Sequence, residues 1–143
     1  NALERKRPDL RDLIARTTST MRSHFAECYL TEVDLPPLGA NLPDADDVHV
    51  VRAALAVAGA IVTFNLADFP EEVLSPLNVE VLTPDDALYG IAIHDEEGML
   101  AAAHAIRARL KAPPISAATF ATGFTASGCP KFSAWLRQRQ SRF

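Results

Sequence analysis

Residues Leu42 to Pro70 read LPDADDVHVVRAALAVAGAIVTFNLADFP. Aspartates stand at both ends of this run, Asp44, Asp46 and Asp47 before it and Asp68 after it, and what lies between is almost wholly apolar. The first half has the spacing of a helix, opened by aspartates and stopped at Gly59. The second half, AIVTFN, is a short β-branched run and predicts a buried strand. A helix from Asp47 to Ala58 is about 17 Å long at 1.5 Å per residue. A strand from Ala60 to Asn65 returns about the same 17 Å at 3.3 Å per residue. Asn65 is therefore expected back at the level of Asp47, with Asp68 in the next turn. That edge is the carboxyl end of a strand, where open α/β sheets place their ligands.

The helix also says which aspartate turns inward. Asp47 shares a face with Val51, Ala54 and Ala58, whereas Ala45, His49, Arg52 and Ala56 form the opposite stripe, which Asp46 borders. Asp47 should lean toward the sheet and Asp46 should stay wet. An unpaired buried carboxylate is costly, so Asp47 needs a partner or a cation. Asp44 reads as a helix cap, and Asp68 on its own, before Phe69-Pro70, as a turn aspartate. A functional reading draws its weight from the convergence of Asp47, Asn65 and Asp68.

Around this stretch the chain of 143 residues has the composition of a soluble globular domain, 48% hydrophobic and 22% charged. No apolar run is long enough for a membrane span. The start, NALERKRPDL, is no secretory signal, and Cys28 and Cys129 make neither a disulfide framework nor a zinc pattern. A reducing cytoplasm is the expected location. The net charge of −4 hides a segregation: residues 1–31 sum to +2, residues 32–97 to −13 and residues 98–143 to +7. Such asymmetry hints at an acidic site flanked by basic surfaces, although solvated helix faces can also cluster charge.

Outside the opening stretch, DLRDLIARTTSTMRSHF predicts a helix, CYLTEV a strand, and DLPPLGANLP a loop. DFPEEVLSP predicts a turn and short helix, and VEVLTP a strand. Asp85 is expected to cap the helix that follows, and EEGMLAAAHAIRARLK to form another that ends at Pro113 and Pro114. Ser116 and Pro130 are expected to start two short helices. Helices alternating with strands predict an α/β architecture with a parallel sheet.

At this point the residues carry a resemblance. DDVHVVRAALAVAGAIVTFNLADFP resembles the third and fourth active-site segments of PIN-domain ribonucleases, and is most similar to the VapC-like toxin branch. VEVLTPDDAL resembles the last strand and helix of that branch, and LKAPPISAATF its C-terminal helical extension. The specific part is residues 43–86.

The resemblance implies a PIN-like three-layer α/β fold over residues 1–93, with a C-terminal helical extension over 94–143. It implies a metal-dependent endoribonuclease, the toxin of a toxin–antitoxin pair, with RNA as substrate and an antitoxin protein as partner. The ion would be Mg²⁺ or Mn²⁺, which take hard oxygen ligands and keep several waters. Asp47 matches the third acid of the family, Asn65 stands where many members have the fourth, and Asp68 matches the aspartate of the turn after it. These three are the catalytic candidates, and Asp47 and Asp68 the metal ligands. Thr63 matches a supporting hydroxyl position, and Asp46 is the other supporting candidate. The strand that carries the family's first aspartate and the helical glutamate of its second acid have no counterpart here. Glu4 falls after the expected position and is not assigned. The chain also begins at Asn1, without Met, inside what reads as helix, so an incomplete N-terminus is expected. The expectation is that these residues alone are inactive, and that another copy or a partner supplies the missing strands. The rival reading is a non-catalytic interaction module on the same scaffold.

Other features are weaker. His24, His49, His94 and His104 share no metal spacing and read as surface residues. Neither cysteine has the surroundings of a nucleophile, and no phosphate-binding glycine loop occurs. Phe132 and Trp135 read as anchors of the tail on the core rather than as base-stacking residues. Arg107, Arg109, Lys111, Arg137, Arg139 and Arg142 could follow an RNA backbone, bind an acidic antitoxin segment, or simply be solvated.

Overall fold

A computed structural model describes residues 8–26, 30, 42–57 and 59–143. It divides into two compact units, Asn1–Pro37 and Leu38–Phe143. In the first, a 3₁₀ turn, Pro8–Leu10, leads into helix α1, Arg11–His24. This is the helix that the apolar spacing predicts. Asp12 in its first turn and Arg22 and His24 in its last suit the helix dipole. Leu13, Met21 and Phe25 are exposed. The expected strand CYLTEV lies outside the described residues, apart from Leu30.

In the second unit, a 3₁₀ turn at Ala45–Asp47 opens α2, Val48–Ala56, and β1 follows at Ala60–Val62. The Gly59 amide donates back to Ala54 O at 2.9 Å, which closes the helix before the strand begins. A 3₁₀ turn at Leu66–Asp68 and helix α3, Glu71–Leu74, lead to β2, Glu80–Leu82. The two strands are parallel and in register, Ala60 opposite Glu80 and Val62 opposite Leu82. Both are three residues long, shorter than AIVTFN and VEVLTP suggest. β1 stops because Thr63 Oγ1 accepts the Asn65 amide at 3.0 Å and turns the chain. Val51, Ala54, Ile61, Phe69, Leu74 and Val79 close over the sheet as one apolar cluster. Val51 and Ala54 are the inward face that the helix spacing predicts, while Ala58 lies outside the described residues.

Four helices complete the unit: α4, Pro84–His94; α5, Glu96–Arg109; α6, Ala117–Ala126; and α7, Pro130–Arg137. Their starts are legible in the sequence. Pro84 and Pro130 occupy first-turn positions, and Ser116 Oγ accepts the Thr119 amide at 3.0 Å. Asp95 accepts the Gly98 amide at 2.9 Å in the same way. Leu100, Ala103, Phe120, Phe132, Trp135, Leu136 and Phe143 form a second core. Phe124 stands edge-on to Phe132 at 4.9 Å, and Phe132 stacks on Trp135 at 6.0 Å. Phe132 and Trp135 are thus core anchors. The fully buried Ser133 donates to Ala121 O at 2.8 Å and accepts from Thr125 Oγ1 at 2.7 Å, locking α6 to α7.

One capping expectation is corrected. The helix after β2 is capped by Thr83, whose Oγ1 accepts the Asp86 amide at 3.1 Å. The Asp85 carboxylate instead accepts the Lys131 amide at 3.0 Å and the Phe132 amide at 2.9 Å. It caps α7, a helix 46 residues further along the chain. The reason lies at Cys129, which holds the cap position of α7 and makes no side-chain cap bond. Those amides need an acceptor from elsewhere.

Candidate functional site

The in-register pairing puts the last residues of both strands at one edge. The Thr63 amide donates to Leu82 O at 3.0 Å, so Thr63 follows β1 beside the end of β2. The turn that Thr63 Oγ1 sets up carries Asn65, and Asn65 Nδ2 donates to Asp68 Oδ2. On the facing side, Asp44 Oδ1 accepts the Asp46 amide at 2.8 Å and caps the turn that presents Asp47. The structure thus links Asn65 and Asp68 directly, and brings Asp68 close enough to Asp47 for its charge to act there.

Asp47 is half-buried and makes no side-chain cap bond. Its carboxyl is pushed above the ordinary value, first by desolvation, then by the negative charges of Asp44 and Asp68 and, more weakly, of Asp46. His49 acts in the opposite direction. Asp46 is exposed, as its place beside the wet stripe predicts, and so is His49. Like charges crowding a carboxyl that meets no hydrogen-bond donor among the described residues make a place where a cation is favourable. Among the described residues, no three side chains of His, Cys, Asp and Glu come together as a metal cage. What is present is a pair of carboxylates with an amide that orients one of them.

The remaining sequence candidates fall elsewhere. His24, His94 and His104 are exposed. Cys129 is buried, and burial pushes its thiol upward, which suits an inert core residue. Arg139 pairs with Glu96 at 2.7 Å and lies 4.4 Å over the Trp135 ring. Arg142 pairs with both Glu96 and Glu97. These two arginines hold the helical region together. A groove lined by Gly59, Leu66, Phe69, Leu74, Asn78 and Val79 holds none of the candidate residues.

Sequence reasoning missed two features. Lys131 Nζ pairs with Asp86 Oδ1, and Asp86 Oδ2 accepts the Thr83 hydroxyl at 2.6 Å. The pair holds Asp86 below the ordinary carboxylate range and Lys131 above its own. Phe64, 64% exposed, lays its ring against Gly128 in the turn between α6 and α7. A Cβ on Gly128 would stand 3.0 Å from that ring, and φ there is +82°. Both conditions require glycine. The signal for the first was a lysine beside Pro130 at a helix start that lacks a good cap. The second had no local signal.

Residues 84–138 match the family model described as the VapC50 C-terminal domain. The matched stretch is less than half of the chain and spans α4 through α7. This similarity suggests a VapC-family toxin. Comparison with curated proteins gave no match, and neither did comparison with solved structures.

Proposed function

We propose that the chain belongs to the toxin of a toxin–antitoxin pair, a metal-dependent endoribonuclease of PIN type. In this reading residues 1–93 are the PIN-like three-layer α/β domain and residues 94–143 its helical extension. The observation that carries it is Asp47: a half-buried carboxyl with no cap bond, driven upward by burial and by Asp44 and Asp68. The match over residues 84–138 supports the toxin family, and the parallel β1–β2 pair agrees with the architecture.

Asp47 and Asp68 would hold Mg²⁺ or Mn²⁺. Two carboxylates suit such an ion, which keeps several waters and needs only one or two of them. Held there by Asp47 and Asp68, such an ion would supply Lewis-acid polarisation of a phosphate and a water of lowered pKa. The chain's own residues orient and support. Asn65 fixes Asp68 through its amide, Thr63 fixes the turn that carries Asn65, and Asp46 adds negative charge from the solvent side. The substrate is RNA, the inhibitor an antitoxin protein, the location cytoplasmic. No residue of this chain is assigned to the family's first aspartate or helical glutamate, and strands from another copy or a partner would complete the sheet.

The test is cleavage of a single-stranded RNA by the full-length protein, with and without chelator. Cleavage is expected to need the ion, to be lost in Asp47→Asn and to persist in Asp46→Asn. Cleavage that survives chelator, or that dies with Asp46→Asn and not with Asp47→Asn, overturns the reading. Absence of cleavage under all conditions favours the non-catalytic interaction module.

A further inference from the structure

The turn between α6 and α7 meets the candidate site from the helical side. Phe64, set between Thr63 and Asn65, rests on Gly128. Three residues on, Lys131 reaches Asp86, which Thr83 holds at the end of β2. Two independent contacts therefore tie this turn to the carboxyl ends of both strands, the edge that carries Asn65 and Asp68. The backbone amides at the start of α7 are already taken by Asp85. What this wall offers to a ligand is the Lys131 ammonium, whose side chain is 61% exposed while Asp86 is 38% exposed. An ammonium has three N–H donors. With one on Asp86, others remain for an anion.

The rest of residues 98–143 sharpens the choice. They hold seven basic residues and no acidic one. Arg139 and Arg142 are committed to Glu96 and Glu97. Lys131 is the basic side chain that the fold ties to the strand edge. An edge with Asp44, Asp46, Asp47 and Asp68 repels a polyanion, and a cation tied to the same end of the sheet offsets part of that repulsion.

We propose that Lys131 binds a backbone phosphate of the single-stranded RNA whose scissile bond lies at the Asp47–Asp68 edge, with Asp86 as the positioning residue for its ammonium. This rests on the ribonuclease reading above. Asp86 holds the charge where a phosphate passing the edge meets it, and the remaining N–H groups donate to the phosphate oxygens as a point charge would.

The experiment is a titration of a fluorescently labelled single-stranded RNA oligonucleotide onto the full-length protein, followed by anisotropy, with chelator present to separate binding from cleavage. Salt is varied from about 50 to about 200 mM. Losing one phosphate contact lowers the slope of log K against log salt by about 0.7 for a single strand. Lys131→Met is expected to weaken binding several-fold at low salt and to show that loss of slope. Lys131→Arg, which keeps the charge and the reach to Asp86, is expected to keep the slope. Asp86→Asn is expected to keep the slope and weaken binding less than Lys131→Met. A purely structural role for Lys131 would shift affinity or stability without changing the slope. A wild-type slope in Lys131→Met, or no RNA binding by the parent protein at any of these salt concentrations, overturns the proposal. If the parent binds RNA with a Lys131-dependent slope and never cleaves it with Mg²⁺ or Mn²⁺, the ribonuclease reading falls while Lys131 stands as an RNA contact. An acidic peptide that binds through Lys131 where RNA does not would assign the residue to a protein partner instead, and would sink the proposal.

Discussion

Asp47 and Asp85 are both aspartates at the start of a helix, each less than fully exposed. Asp85 is 6% exposed and has two backbone amides on its carboxylate. Asp47 is half-buried, has no cap bond, and is surrounded by the charges of Asp44, Asp46 and Asp68. The contrast extends to their regions. In the helical region Asp86 has Lys131 and Thr83, Glu96 has Arg139 and Arg142, and Asp95 caps its own helix. At the strand edge the carboxylates chiefly face one another. A buried or crowded carboxylate is tolerated when donors meet it, and costs stability when they do not. The helical acids are therefore structural, and Asp47 is the one for which we propose a ligand.

The largest expected effect is on the structural side. Asp85→Ala leaves the Lys131 and Phe132 amides without their acceptor inside the fold. The expected loss is about 2–4 kcal/mol, the scale of charged hydrogen bonds and a lost helix cap together. Asp85→Asn, which keeps one acceptor oxygen, should lose less. Urea unfolding followed by Trp135 fluorescence reads both. A loss in Asp85→Ala below about 0.5 kcal/mol would put Asp85 on the same footing as an ordinary surface residue.

The smallest expected effect has the opposite sign. The Asp47 carboxyl lies above its ordinary value of 3.8 in the fold. The folded state therefore binds that proton more tightly than the unfolded chain does. Its contribution is fully present below pH 3.8 and is lost as pH rises through the raised value. At neutral pH the ionised group opposes folding, so Asp47→Asn should be slightly more stable than the parent. The gain should be on the order of 1–2 °C, because water screens a half-exposed carboxylate. It should vanish in acid. Asp86 and Glu96 behave in reverse: they are held below their ordinary values, so their contribution is present at neutral pH and lost as pH falls. Thermal scans of parent and Asp47→Asn across pH check this. A variant less stable than the parent at neutral pH would mean that Asp47 has a donor after all. A residue that lowers stability in the free protein fits a binding role.

Much of the strand-edge region was legible in the sequence. The i, i+4, i+7 spacing from Asp47 named Val51 and Ala54 as its buried face, and the runs AIVTFN and VEVLTP named the two parallel strands, though each pairs over three residues only. Local chemistry suffices there, because periodicity and helix signals act over a few residues. Asp85 was misread for the complementary reason. A serine, threonine or aspartate before a helix reads as that helix's own cap, and Thr83 already served. That Asp85 would serve α7 depends on a contact across 46 residues, set by the second apolar core and not by any local pattern. The same holds for Phe64 on Gly128. Lys131 is not among the basic candidates that the sequence pointed to. Only the fold separates those that pair with Glu96 and Glu97 from the one that pairs at the strand edge.

The contrast between spare and committed carboxylates can be read at residue level with a paramagnetic ion. Mn²⁺ added at well under one equivalent broadens the amide NMR signals nearest to where it binds. The account predicts early loss at residues 45–48 and 63–68, around Asp47, Asn65 and Asp68, with the signals of Asp85 and of Glu96 and Glu97 persisting, and no such early loss in Asp47→Asn. Broadening centred on Glu96 and Glu97, or spread evenly over all the carboxylates, would contradict it.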